Sequence, residues 1–316
     1  MTALATVLDE RRTRLAALAA ALVTVLLWAS AFVGIRSAGR AFGPGALSLG
    51  RLLVAAVALA AIGSLRGERL PTRAALRAGG PALLFCGLLW FGAYNLALNA
   101  GERRIDAGTA AMLVNVGPVL IAVLAGLLLH EGFPRALFVG CAVAFAGVAI
   151  IAVASSNHTT TTEGVLLCLA AAVSYAGGVV AQKVVLRWLS GTQTIFLCCV
   201  IGAVACLPFA GQLVSQLGSA PSGSVAWLVY LGLAPTAIGF STWAYALRRT
   251  DAGRLAATTY LVPPLSILLG WAWLGETPAE LAYLGGALCL IGVAWSRRTS
   301  AADRRARVAA GTGSRP

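Results

Sequence analysis

The chain has 316 residues, 59% of them hydrophobic and only 11% charged, with a formal net charge of +13. A soluble domain carries about a quarter charged residues, so this chain lacks the polar surface that water demands and suits hydrocarbon surroundings. In a soluble protein the positive charge would point to nucleic acid; here it fits the gathering of Arg and Lys in cytoplasmic loops, and no nucleic-acid partner is expected.

The apolar runs continue for about 20 residues instead of alternating over about ten, which selects helices over a membrane barrel. The first run follows Arg11, Arg12 and Arg14 and reads as a span over about 15–37. It is too long for a signal-peptide core and is read as retained. Further spans are expected at about 45–65, 76–101, 107–129, 134–154, 164–187, 193–213, 224–247, 252–274 and 279–297. The fold class is therefore an all-α membrane protein with ten transmembrane helices. The connections are short, so no soluble catalytic domain is expected. The tail 298–316 is basic and poor in apolar residues; contact with membrane lipids or a passive role in setting topology suits it.

Charge placement orients the chain. With residues 1–14 in the cytoplasm, nineteen of the 24 Lys and Arg fall inside, among them Arg66, Arg69, Arg73, Arg77, Lys183, Arg187, Arg248, Arg249 and Arg254. Only Arg36, Arg40, Arg103 and Arg104 fall outside, and Arg51 lies within a span. Both termini are expected in the cytoplasm, with the chain in the plasma or inner membrane.

Seven cysteines sit in apolar segments with no Cys-x-x-Cys pair, and both histidines, His130 and His158, lie in loops. They read as packing residues; no metal site and no cofactor is expected. The spans hold no Ser/His or paired-carboxylate set, so no enzyme is expected.

The sequence repeats itself at a shift of 145 positions. Asp106-Ala107-Gly108 falls on Asp251-Ala252-Gly253, Arg103-Arg104 on Arg248-Arg249, Pro118 on Pro263, Glu131 on Glu276, Gly140 on Gly285 and Gly147 on Gly292. In the first helix of each half the shift is near 147, where Arg36 meets Lys183. The first five-helix repeat spans 15–154, a loop 155–163 joins it to the second, and the second spans 164–297. Five is odd, so the second half enters from the opposite side: the ten helices form two inverted five-helix repeats, a plan common among secondary transporters.

The run WASAFVGIR in the first helix, Asp106-Ala107-Gly108 with Asn115 before Pro118, Tyr260-Leu261-Val262-Pro263-Pro264 and the loop pair Gly275-Glu276 carry a resemblance. The chain resembles the EamA-type members of the drug/metabolite transporter superfamily from about Leu15 to Arg298. The resemblance implies a transporter of a small-molecule substrate. Similar proteins export amino acids or handle other metabolites, and helices three, four, six and nine commonly line a central cavity.

Several residues are candidates for that cavity. Pro118, and Pro263 with Pro264, fall near the middle of their spans, where proline withdraws an N–H and leaves carbonyls unpaired. The carbonyls of Val114, Thr259 and Tyr260 would be freed for side chains, water or substrate, with Asn115, Thr258 and Thr259 close by; the alternative is a kink that only shapes packing. Phe91, Asn95 and Asn99 share one helical face, with Tyr94 beside it, and amides in a span look inward. Interhelical hydrogen bonding alone is the other reading for Tyr94 and Asn95. The resemblance adds Asn115, Tyr175 and Tyr260. Arg51 lies about 9 Å into the second span, where it either binds a substrate carboxylate or snorkels to the interface. Trp28 is too deep for an interfacial belt and is cavity wall or core. Glu131 and Glu276 occupy equivalent loops, and Thr277-Pro278-Ala279-Glu280 has the form of a capping box. All acidic residues lie at or beyond helix ends.

The reading is a carrier working by alternating access, exporting amino acids or similar solutes. Efflux of drug-like compounds, a non-transporting assembly or accessory protein, and a channel are the alternatives. Oligomeric state cannot be read from the sequence.

Overall fold

The computed structural model describes residues 3–104, 113–155, 161–274, 280–296 and 298. Asp106-Ala107-Gly108, His158, Gly275 to Ala279 and the tail after Arg298 lie outside them. Among the described residues every regular element is helical: α1 (Ala3–Ala38), α2 (Pro44–Leu65), α3 (Arg73–Gly101), α4 (Gly117–Leu128), α5 (Arg135–Ser155), α6 (Thr162–Val185), α7 (Gly191–Ala205), α8 (Leu207–Ser219), α9 (Ser222–Arg249), α10 (Ala252–Ala256), α11 (Val262–Leu274) and α12 (Glu280–Ser296).

Among the described residues five helices are long and apolar enough to cross a membrane: α1 from Arg11, α2, α3, α6 and α9. The chain is a multi-pass membrane protein. The pair α7–α8 would make a sixth span, but it bends by 58° at Cys206. A single helix was expected over 193–213; Leu207-Pro208-Phe209 forms a 3-10 turn instead, because Pro208 cannot donate to the preceding turn. The shorter apolar helices are α4, Arg135–Ile151 within α5 and Tyr283–Ser296 within α12. Their outward faces carry large apolar side chains, such as Leu127, Leu128, Val139, Leu290 and Ile291, as lipid contact requires.

Helices α5 and α12 pack through glycines. A Cβ placed on Gly140 would stand 2.4 Å from the backbone N of Ser296, and one on Gly147 2.5 Å from the carbonyl oxygen of Gly285. A Cβ on Gly292 would meet the backbone N of Ala144 at 2.4 Å. Without hydrophobic exclusion between them, helices in lipid associate by close packing, which small residues permit. Gly140 meets Gly292 while Gly147 meets Gly285, so the two helices run antiparallel.

Two π-helical segments interrupt long helices at positions 145 residues apart: Gly87–Ala93 in α3 and Gly232–Ile238 in α9. Side chains satisfy the loosened carbonyls. Asn95 Nδ2 donates to the carbonyls of Trp90 (3.3 Å) and Phe91 (2.9 Å), and Thr236 Oγ1 donates to that of Leu231 (2.7 Å). Such segments cluster at functional sites.

At the Arg249 end of α9 Lys183 ties helices of the second half together, and Glu131 joins the first half to the second. Lys183 Nζ donates to the carbonyls of Leu247 and Thr250. The Glu131 carboxylate accepts from the backbone N–H of Ala252 at 2.9 Å and of Gly253 at 3.4 Å. A carboxylate at the first N–H groups of a helix satisfies orphan donors and meets the positive end of the dipole.

Candidate substrate cavity

The pleat of π-segments and helix breaks opens a cavity of about 90 Å³ among α1, α2, α3, α4, α6, α9 and α11. Its walls include Trp28, Arg51, Trp90, Tyr94, Asn95, Asn115, Pro118, Tyr175, Phe240, Thr259 and Val262. That is room for several water molecules between these side chains.

The floor is aromatic. Trp28 lies 5.0 Å from Trp243 and 5.2 Å from Phe240, centroid to centroid; Trp90 lies 4.9 Å from Phe240 and 5.4 Å from Tyr175. Trp28 Nε1 donates to the Pro235 carbonyl (3.3 Å) inside the α9 π-segment, so the indole is pinned where that helix is loosened. Tilted and edge contacts of this kind hold rings rigidly and present apolar faces.

Arg51 is the charged element of the wall. Only 6% of it is exposed, and its Nε and Nη2 donate to Thr236 Oγ1 at 3.0 and 2.9 Å. Thr236 in turn donates to Leu231, so the α9 π-segment holds the guanidinium in place. Among the described residues Arg51 forms no ion pair. A buried cation with only a hydroxyl partner is costly unless an anion joins it. Snorkelling, the alternative reading, does not describe this placement.

Seven residues singled out from the sequence thus meet in one cavity: Trp28, Arg51, Tyr94, Asn95, Asn115, Tyr175 and Pro118. Asn99 does not reach it; its amide donates to Ser48 Oγ (3.0 Å) and lies close to the Pro44 carbonyl. Tyr260 is fully buried in the cluster that includes Ala122, Cys141, Val148 and Cys289 and does not line the cavity, where Thr259 and Val262 stand in the wall. Pro264 borders a separate apolar crevice with Leu22, Leu26, Leu265 and Tyr283. Pro118 also differs from a mid-helix kink. Pro118 stands in the first turn of α4, after a turn at Asn115 and Val116, and Pro263 in the first turn of α11, after the 3-10 segment Ala257–Leu261. At Pro118 the missing N–H costs nothing, because a helix starts there, whereas Pro263 lies within a helical run unbroken from Ala252 to Leu274. Thr258 and Thr259 turn their hydroxyls to the carbonyls of Leu255 (2.6 Å) and Ala256 (2.8 Å). The π-segments, Thr236 and Phe240 were not among the candidates; the repeat of Gly87-Leu88 at Gly232-Leu233 is the trace the sequence holds of them.

All seven cysteines are buried and free. No cluster of metal-ligating side chains occurs among the described residues.

The family described as EamA-like transporter family matches residues 15–153 and 162–298. A probable terminal-alkyne amino-acid exporter of Streptantibioticus cattleyicolor is 39% identical over 286 residues, 90% of this chain and 95% of that one. The uncharacterized transporter YdfC of Bacillus subtilis is 30% identical over 85% of this chain and 87% of its own length. A probable amino-acid metabolite efflux pump of Salmonella typhimurium is 25% identical over 59% of this chain and 66% of its own. One crystal structure superimposes with a TM-score of 0.75 at 22% identity, covering 93% of this chain and 99% of the other; it bears on the fold alone.

Proposed function

This chain belongs to the EamA-like transporter family, and we propose that it exports small apolar amino acids by alternating access. The observation that carries the substrate class is Arg51, a buried guanidinium fixed by Thr236 beside an aromatic floor and joined to no carboxylate. A substrate carboxylate satisfies the guanidinium, and the apolar side chain lies on Trp28, Trp90 and Phe240. Charge-assisted hydrogen bonds of Arg to carboxylate are among the stronger polar contacts, and the dry surroundings strengthen them further. Two relatives named as exporters of amino acids or their metabolites favour the same class.

In this reading the ten spans form two inverted five-helix repeats in the plasma or inner membrane, with both termini in the cytoplasm. Two separately matched segments, two π-segments at the repeat spacing and the antiparallel Gly140/Gly292 and Gly147/Gly285 contacts support that plan. The cavity then lies between the midplane and the outer face, because Ile35, Arg51 and Leu98 line it from the outer halves of their spans. The Lys183 and Glu131 contacts close the inner end.

Counterflow into proteoliposomes tests the reading, with L-propargylglycine as probe. Saturable exchange is expected, abolished by esterifying the carboxylate. Arg51→Lys keeps part of the flux, and Arg51→Gln raises KM by about tenfold or more, the loss of one charged hydrogen bond. Unchanged transport by Arg51→Gln, or equal flux of the ester, would refute the carboxylate site.

A further inference from the structure

The sequence places every carboxylate at or beyond a helix end, yet one of them is drawn into the protein beside the cavity. Glu102 follows α3 directly, on the face that carries Leu98 one turn below and Tyr94 two turns below. Both of those residues line the cavity. Its Oε1 is sealed from solvent and has no hydrogen-bond partner. Close approach of α3 to α6 produces this burial: a Cβ on Gly101 would stand 2.7 Å from Cys168 Sγ.

Among the described residues, the charged and titratable groups whose charge Glu102 feels or that feel its charge are Arg36 on α1, Arg51 on α2, Cys168 on α6 and Tyr94 on its own helix. Its neighbours Arg103 and Arg104 are engaged elsewhere, Arg103 with the carbonyls of Gly39 and Phe42 and Arg104 with Glu163 at 3.0 Å. Glu102 and Arg51 feel each other's charge without forming a direct ion pair. An Arg in the cavity wall and a Glu one turn beyond Leu98 at the end of that wall, with an unpartnered oxygen on the acid, complement a ligand that carries an anion and a cation side by side.

We propose that Glu102 binds the ammonium group of the amino acid whose carboxylate rests on Arg51, and that an outside proton displaces that ammonium. The idea rests on the carboxylate reading of Arg51 given above. It adds the second charge of a zwitterion and a release step. Ionised Glu102 accepts N–H donors from the ammonium; the neutral acid, having taken one proton from the outer solution, no longer holds the cation. Burial pushes the Glu102 carboxyl up to about 7, against the pull of Arg36 and Arg51. The group is thus ionised above neutrality and protonated below it, so an acidic exterior favours release. Competition between proton and substrate for one carboxylate gives exchange in opposite directions, which suits export.

Proteoliposome flux of L-propargylglycine and of its des-amino analogue tests this. Wild type should prefer the amino acid by about tenfold to a hundredfold, the worth of one charged hydrogen bond. That preference should shrink as pH falls from about 9 to about 5, through the range where Glu102 takes its proton. Glu102→Gln should carry both probes alike with a flat pH profile, while Glu102→Asp keeps the preference. Arg51→Gln should weaken both probes together. A wild-type preference constant across that pH range would overturn the proposal, with no variant needed. So would a Glu102→Gln protein that still selects the amine; if Arg51→Gln then still weakens both probes, the carboxylate reading stands by itself. If Arg51→Gln weakens neither, both readings fall.

Discussion

The glycine seam between α5 and α12 is the packing feature most open to direct test. Ordinary contact for a Cβ begins near 3.4 Å, and a Cβ on Gly140 would sit 2.4 Å from the backbone N of Ser296, so Gly140→Ala must push the helices apart by about 1 Å. The obstructing atoms are backbone, which cannot rotate aside as a side chain does. Overpacking of this kind costs about 1–3 kcal/mol, and separation along the seam also loosens the Gly147/Gly285 contact seven residues away. Unfolding of detergent-solubilised protein with rising dodecyl sulfate should show an unfolded fraction about 5- to 150-fold larger at a fixed composition, since about 1.4 kcal/mol is tenfold. Gly292→Ala should cost a similar amount, and the double variant less than the two together, because both open the same gap. Gly63→Ala is the control: no atom lies within 4 Å of its added Cβ, so the change should be neutral or stabilise by up to about 1 kcal/mol. If Gly140→Ala unfolds like wild type, α5 and α12 are not in backbone contact there, and the antiparallel seam fails as support for the inverted repeat.

Thr236→Val removes both hydrogen bonds that hold Arg51 and should raise KM for L-propargylglycine by about tenfold, with Thr236→Ser restoring most of it; equal KM for Val and wild type would mean Arg51 is fixed by other contacts. In a background without the seven native cysteines, Asn115→Cys should react with small hydrophilic thiol reagents and be protected by substrate, whereas Tyr260→Cys should stay unlabelled; the reverse pattern would place the cavity on the wrong side of α11. Glu131→Gln should lower stability by about 0.5–2 kcal/mol through weaker capping of Ala252 and Gly253, read in the same unfolding assay, and an unchanged midpoint would remove the cap. Reporter fusions after Arg77 and after His158 should read inside and outside respectively, and an outside signal after Arg77 would invert the orientation.

The sequence by itself determined the elements that follow from composition and spacing. Apolar runs mark helices because a backbone in lipid must satisfy its own hydrogen bonds, and the repeat at 145 residues is visible wherever Gly, Pro and charge recur. Tyr94 and Asn95 were legible as inward-looking because amides deep in a span have few other places to go, Asn115 and Tyr175 came from the family resemblance, and Trp28 and Arg51 each had a second reading open. What only the tertiary structure decided is which faces meet. The 3-10 segment Ala257–Leu261 advances about 120° per residue where an α-helix advances about 100°, so five residues swing the face by about 100°; Thr259 lines the cavity and Tyr260 does not. The π-segments have no residue-type signature, since what stabilises them is Asn95 and Thr236 hydrogen-bonding back to carbonyls that only the folded geometry exposes. Glu102 reads as a loop carboxylate until α6 closes over it, because burial is a property of neighbours brought together by the fold and not of the residue or its place along the chain.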